Sequence, residues 1–174
     1  MNIFTTSYNP MECARDLDTR RLSKMILETC QLLSTAKYYR LNDWDFFNDT
    51  QGCKPTHKNH PCAIWARESI NNYTWLMELL EAYAEEYTRR KGKQHKSYVD
   101  QVLSDNLKVI NHNINWFENM LPFPNCARNK EYDIDFSYLP VTTAYKKYLR
   151  YRYLNTDKYK PTWLGDYVPE WFNL

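Results

Sequence analysis

Residues 16–39, DLDTRRLSKMILETCQLLSTAKYY, run without glycine or proline and set Leu22, Met25, Ile26, Leu32, Leu33 and Ala36 at helical spacing. That spacing puts the apolar side chains on one face of an α-helix, a periodicity that a strand cannot use. Asp18 or Thr19 can cap the start. A chain with such a segment must provide a surface that covers a long amphipathic helix. Only three glycines occur in 174 residues, too few for a turn-rich β-fold. The expectation is a mainly α protein: one compact domain over residues 1–174, four to five helices, and an ordered, aromatic-rich C-terminal tail.

Beside the apolar stripe runs a polar one of Arg21, Lys24, Glu28, Gln31 and Thr35. Lys24 and Glu28 are four residues apart, with Arg20 and Arg21 one turn earlier. Two readings are open. One is a solvated salt bridge worth roughly a few tenths of a kcal/mol. The other is a carboxylate held among cations and amides at the lip of a cleft, as an acid/base or electrostatic group.

Along the chain, residues 1–10 read as a short extended arm ending in an Asn9-Pro10 turn. Residues 41–59 read as a loop with a short turn at 44–47. Pro61 suits the first turn of a second helix reaching about Arg90, with Ile64, Trp65, Asn72, Leu76, Leu79, Leu80, Tyr83 and Tyr87 inward. Residues 78–86 read as its solvated face, and Gly92 as its C-cap. A third helix opens at Ser97 and bends or restarts before Ile114; residues 121–139 form an ordered loop, and a last helix covers about 142–154. The tail is anchored by Trp163, Tyr167, Trp171 and Phe172.

Lysine and arginine outnumber aspartate and glutamate by only two, so overall charge selects no partner class. Placement is more informative. Basic segments at 20–24, 89–96 and 146–152 alternate with tyrosine and tryptophan, which can stack on bases or sugars or can simply be core. The candidate nucleic-acid contacts are Arg20, Arg21, Gln31, His57, Asn59, His60, Arg67, Arg89, Arg90, Lys146, Lys147 and Trp163. No apolar run approaches about eighteen residues, so no membrane span is expected. The start lacks a secretory signal, and five scattered cysteines suit free thiols in a reducing cytosol. Cys53, His57, His60 and Cys62 could ligate zinc, but their spacing is not that of a paired knuckle and Pro61 stiffens the segment. Histidines hydrogen-bonded in a loop are the preferred reading, with no metal and no cofactor expected. Cys62, at a helix N-terminus, should have a lowered pKa, although no histidine is fixed as its base.

The stretch TRRLSKMILE at 19–28, with His60-Pro61 opening a helix that ends in Arg89-Arg90-Lys91-Gly92, resembles the phage endonuclease V type of pyrimidine-dimer DNA glycosylase. The chain also resembles uncharacterised phage proteins with K-M-x-x-E-T-x-Q-L-L-S-T-A and K-P-T-H-x-N-H-P-C segments, matched by residues 24–36 and 54–62. The first resemblance implies a catalytic carboxylate at Glu28, a basic residue seven earlier at Arg21, a histidine at His60, and a late aromatic and basic segment at 145–171. It implies a DNA glycosylase with lyase activity, in which an amine attacks the sugar C1′ of an extruded nucleotide and leaves an imine. The family uses the amine exposed when the initiator methionine is removed before a small residue; here residue 2 is Asn. The candidate amines are therefore those of Met1, Asn2 and Lys24. As a class, α-amines titrate at about 8 and lysines at about 10.4, which favours the α-amine. The resulting expectation is a cytoplasmic monomer, in the host cell if phage-encoded, acting on double-stranded DNA with a damaged or modified base. The alternatives are a DNA-base or nucleotide-modifying transferase using the same cleft, or a non-catalytic DNA-binding or host-interaction protein.

Overall fold

The computed structural model describes residues 1–41, 53–103, 117–165 and 167–173. The fold is mainly α. Helix α1 (Pro10–Asp16) leads into α2 (Thr19–Leu41), α3 (Pro61–Glu68), α4 (Ile70–Lys91) and α5 (Lys96–Leu103). Strands β1 (Arg128–Asn129) and β2 (Ile134–Asp135) pair antiparallel, and α6 (Val141–Tyr151) and α7 (Glu170–Asn173) follow. Among the described residues the helix count exceeds expectation because the run expected over 61–90 is two helices and short helices form at Pro10–Asp16 and Glu170–Asn173. The expected turn at 44–47 and the bend before Ile114 lie outside the described residues.

Helix α2 is the centre of the packing, meeting α3, α4 and α5. Its stripe of Leu22, Met25, Ile26, Leu32, Leu33 and Ala36 is fully buried, as its spacing demands. Asp18 caps it, accepting the amide N–H groups of Arg20 and Arg21 at 3.1 and 3.3 Å. Asn9-Pro10 starts a helix and does not close a turn, since the Asn9 side chain accepts the Met11 N–H and Pro10 occupies the first turn.

The second long run is two helices. Ser69 takes an extended conformation, caps α4 through the Asn71 N–H, and donates its hydroxyl to the Asn119 carbonyl at 2.7 Å. A backbone bridge from Ser69 to Phe117 completes the break. Gly92 ends α4 at φ 68°, a left-handed cap that suits glycine. The outer face of α4 departs from expectation at one point. Glu86 is buried and receives Arg89 in bidentate fashion at 2.7 and 2.8 Å and Arg90 Nε at 2.6 Å.

Residues 117–127 are clamped to α3 and α4. Asn72 donates to the Trp65 carbonyl and accepts the Leu121 N–H, while Trp65 Nε1 donates to the Leu121 carbonyl. Phe123 packs against the rings of Trp65 and Trp75. This delivers Cys126 to the start of α3. After α6 the chain winds one π-helical turn (Arg152–Thr156), and the tail returns to α2, where the Thr162 carbonyl accepts the Thr19 N–H at 2.8 Å. Trp163 Nε1 donates to the Asp16 carbonyl and packs edge-on against Tyr153, which meets Trp171 and Phe172.

Candidate active site

The N-terminal arm is not a surface strand. Ile3, Phe4, Thr5 and Thr6 are buried, and the Ile3 carbonyl accepts the Tyr83 hydroxyl. Phe4 adopts φ 40°, a left-handed conformation that costs a bulky residue about 1–2 kcal/mol. Its ring lies edge-on to Tyr145 and stacked on Tyr148 of α6, and that packing holds the turn. The arm therefore runs back along α2 and ends at Glu28.

At Glu28 three nitrogens converge on one carboxylate. The α-amine of residue 1 lies 3.7 Å from Oε2, the Asn2 backbone N–H donates to the same oxygen at 3.1 Å, and Lys24 Nζ is 3.3 Å from Oε1. The Glu28 side chain is 13% exposed and that of Lys24 72%, so the carboxylate sits in a wall and the lysine reaches in from solvent. Asn2 is held by its own side chain. Its Oδ1 accepts the Tyr145 hydroxyl at 2.7 Å and the Ile3 N–H at 3.0 Å.

These groups face a cavity of about 280 Å³ lined by Phe4, Arg21, His60, Cys126, Arg128, Tyr148 and Arg152 as well. Four cations, Arg21, Lys24, Arg128 and Arg152, ring one carboxylate. Two of the four are fixed by Asp157, which accepts Arg21 Nη2 at 3.0 Å and Arg152 Nη2 at 3.3 Å. Arg21 also lies over the Tyr153 ring, and Arg152 over Tyr132. Both guanidinium groups are thereby preorganised with little rotamer freedom left to lose.

His60 caps α3 by accepting the Cys62 N–H at Nδ1. Burial, the α-amine charge and His57 push its pKa down, against Glu28, which pushes it up. The expected lowering at Cys62 is not found. Its thiol donates toward Cys126 and is fully buried, and both effects drive its pKa up. The negative charge of the pair falls on Cys126 instead, whose pKa drops to about 7, chiefly through the hydrogen bond from Cys62 and then through Arg128 and the α-amine. Helix-terminus position is outweighed by the hydrogen bond to Cys126 and then by desolvation.

The predicted site residues divide. Glu28, Met1, Asn2, Lys24, Arg21 and His60 share the cavity. Arg20 is exposed and covers the Tyr159 ring, and His57, Asn59, Arg89 and Lys147 are also on the surface. Gln31, Lys146 and Trp163 are half-buried away from the cavity lining. Arg67 donates to the Lys58 carbonyl and lies over Tyr39. Arg90 is spent inside the protein: its side chain is 2% exposed, and it donates to the Ala14, Arg15 and Leu17 carbonyls at the end of α1. Arg128, Tyr148, Arg152 and Cys126 were not singled out as site residues. Tyr148 and Arg152 are one helical turn apart, a spacing that put them on one face; Arg128 and Cys126 carry no such signal.

A cationic cavity around an amine–carboxylate pair defines a class of site suited to imine chemistry on an anionic substrate. The family model for pyrimidine dimer DNA glycosylase matches residues 1–100, and the chain belongs to that family. Neither the curated proteins nor the solved structures include a match. The matched residues hold the arm, α1 to α4 and most of α5, and with them Glu28, Lys24, Arg21 and His60. Among the described residues, no helix is long and apolar enough to cross a membrane.

Proposed function

We propose that this protein cleaves the glycosidic bond of a damaged or modified pyrimidine in double-stranded DNA and then cuts the strand by elimination. The observation that carries this reading is the α-amine of residue 1 held 3.7 Å from Glu28 inside a cation-lined cavity. The neutral amine attacks the sugar C1′, the C1′–N bond breaks, and the base leaves with its electron pair and gains a proton. The attacking nitrogen loses a proton, its lone pair breaks the C1′–O4′ bond, O4′ gains a proton, and the opened sugar is left as a protonated imine. Glu28 assists removal of a proton from C2′, and the C3′–O bond breaks to release the phosphate strand. Arg21, Lys24, Arg128 and Arg152 offer the positive field that holds the phosphates around an extruded nucleotide.

The buried side chain of Met1 and the Glu28 contact of the Asn2 nitrogen support an α-amine as nucleophile, whether or not residue 1 is processed. Lys24 meets the same carboxylate from solvent and serves as an electrostatic partner. Borohydride reduction in the presence of abasic-site DNA tests this. The trapped adduct is expected on residue 1 or 2 by peptide mass spectrometry, and residues added before Met1 should abolish trapping. Glu28→Gln should remove strand cleavage while melting temperature and DNA binding persist. A fully active extended protein with a dead Lys24→Ala variant would make the lysine the nucleophile, and no trapping by any form would end the glycosylase reading.

A further inference from the structure

His60, Cys62 and Cys126 bring their ligand atoms within 4.8 Å of one another, from the cap of α3, its first turn and the clamped segment before β1. We propose that these three side chains bind a zinc-class divalent ion at the edge of the Glu28 cavity, with none of the three taking part in the amine chemistry, so the proposal is independent of whether that reading holds. Zinc bonds of about 2.3 Å to sulfur and 2.0–2.1 Å to nitrogen set ligand separations of roughly 3.3–3.8 Å in a tetrahedron, so a small contraction closes the set. Two sulfurs and an imidazole are soft to borderline donors, which select zinc over magnesium or calcium.

The surroundings are those of a held ligand set. Cys62 is fully buried, with Sγ directed at Asn2 Oδ1 at 3.9 Å. The Cys126 backbone is fixed by its N–H donating to the Tyr145 hydroxyl at 3.1 Å, the kind of outer support that orients a ligand. The metal takes over the His60 lone pair now pointing at the Cys62 N–H, exchanging one helix cap for a metal–nitrogen bond. Two thiol protons leave to solvent as two metal–sulfur bonds form. Three protein ligands leave a fourth position, and since His60 and Cys126 line the Glu28 cavity, that position opens toward it.

The fold has replaced the set that spacing suggests. His57 is exposed, with Nδ1 engaged by the Thr56 hydroxyl, and Cys53 is not part of the cluster of His60, Cys62 and Cys126. A Cys62–Cys126 disulfide, formed by a low-molecular-weight disulfide oxidant with loss of two protons and two electrons, is the competing use of the sulfurs. It leaves His60 only as the cap of α3.

The full chain, reduced and stripped with chelator, is titrated anaerobically with cobalt(II) and then with zinc(II). One equivalent of cobalt should give a near-ultraviolet thiolate charge-transfer band and tetrahedral visible bands, both removed by one equivalent of zinc. Cys126→Ser, at a half-buried position whose folding is checked by circular dichroism, should lose the band, as should His60→Ala weaken it. Cys53→Ser should keep it. The proposal is overturned if the reduced wild-type chain gives no charge-transfer band, or if the band survives Cys126→Ser. A band abolished by Cys53→Ser, or thiols found only as a Cys62–Cys126 disulfide with no metal taken up after reduction, overturns it too.

Discussion

Tyr145 shows how much of the site is built by a residue that never faces the cavity. Its hydroxyl shares its one proton between Asn2 Oδ1 and the Pro124 carbonyl and accepts the Cys126 N–H, tying the arm to the loop before β1. Removing it takes a partner from the Pro124 carbonyl and the Cys126 N–H, both half-buried, at about 1–3 kcal/mol for each group left unsatisfied, while Asn2 Oδ1 keeps the Ile3 N–H. Tyr145→Phe is therefore expected to lower the melting temperature and to reduce kcat about tenfold or more by letting residue 1 drift from Glu28. DNA affinity should stay unchanged, because the ring is buried. A raised Kd with intact kcat would place Tyr145 in DNA binding instead. At this scale the sequence was half legible. Glu28 could be found because a carboxylate with Lys24 and Arg21 on one helical face is a periodic signal. Arg128 and Cys126 could not, because long-range packing of Trp65, Asn72 and Phe123 brings their segment to α3, and the role of Tyr145 could not, because it is a contact from α6 to Asn2 at the other end of the chain.

Elements were legible where their signals are local and not where they are remote. The cap at Asp18, Pro61 in a first turn and Gly92 at a left-handed position each follow from one residue's stereochemistry. The break at Ser69 does not, since its extended backbone is set by Phe117 and Asn119 some fifty residues away. The hairpin of β1 and β2 was equally hidden, with two-residue strands too short to show alternation. Helix α5 offers a pH test. His95 caps it by accepting the Ser97 N–H at Nδ1 and packs edge-on against Tyr87, and burial pushes its pKa below the usual 6.5. A histidine with a depressed folded pKa contributes stability that is present above the unfolded value and lost as pH falls through the folded one. Acidification from about pH 6.5 downward should loosen the start of α5, where protonated Nδ1 can no longer accept. His95→Asn keeps a capping acceptor without a titrating group, so it should hold a cap worth roughly 1 kcal/mol across that window. Equal acid sensitivity in the variant and the parent, measured by amide exchange at Ser97, would remove His95 as the cause.

Over the whole molecule, charge placement decides what net charge cannot. The chain carries only a small positive excess, yet its cations serve two different purposes. Arg90 is structural: it satisfies carbonyls at the end of α1 and neutralises the buried Glu86, holding α1 to α4. Arg128 is exposed at the mouth of the cavity and Lys147 on α6 is exposed elsewhere, both placed to meet phosphate, while Lys24 at the same mouth is paired with Glu28. Salt dependence separates these purposes. Each phosphate contact contributes a slope of about 0.9 log unit of affinity per log unit of salt. Arg128→Ala should lower the slope by about one contact, and Lys146→Ala with Lys147→Ala by about two, with melting temperature nearly unchanged. Arg90→Ala should leave the slope alone and lower the melting temperature, because it takes the donors from the Ala14, Arg15 and Leu17 carbonyls and leaves the buried Glu86 with Arg89 alone. Fluorescence anisotropy across a salt series, with thermal melts of the same samples, measures both quantities. A slope that falls in Arg90→Ala while its melting temperature holds would mean that the guanidinium leaves α1 to bind DNA. An unchanged slope in the double lysine variant would take α6 out of the interface and leave the cavity mouth as the phosphate site.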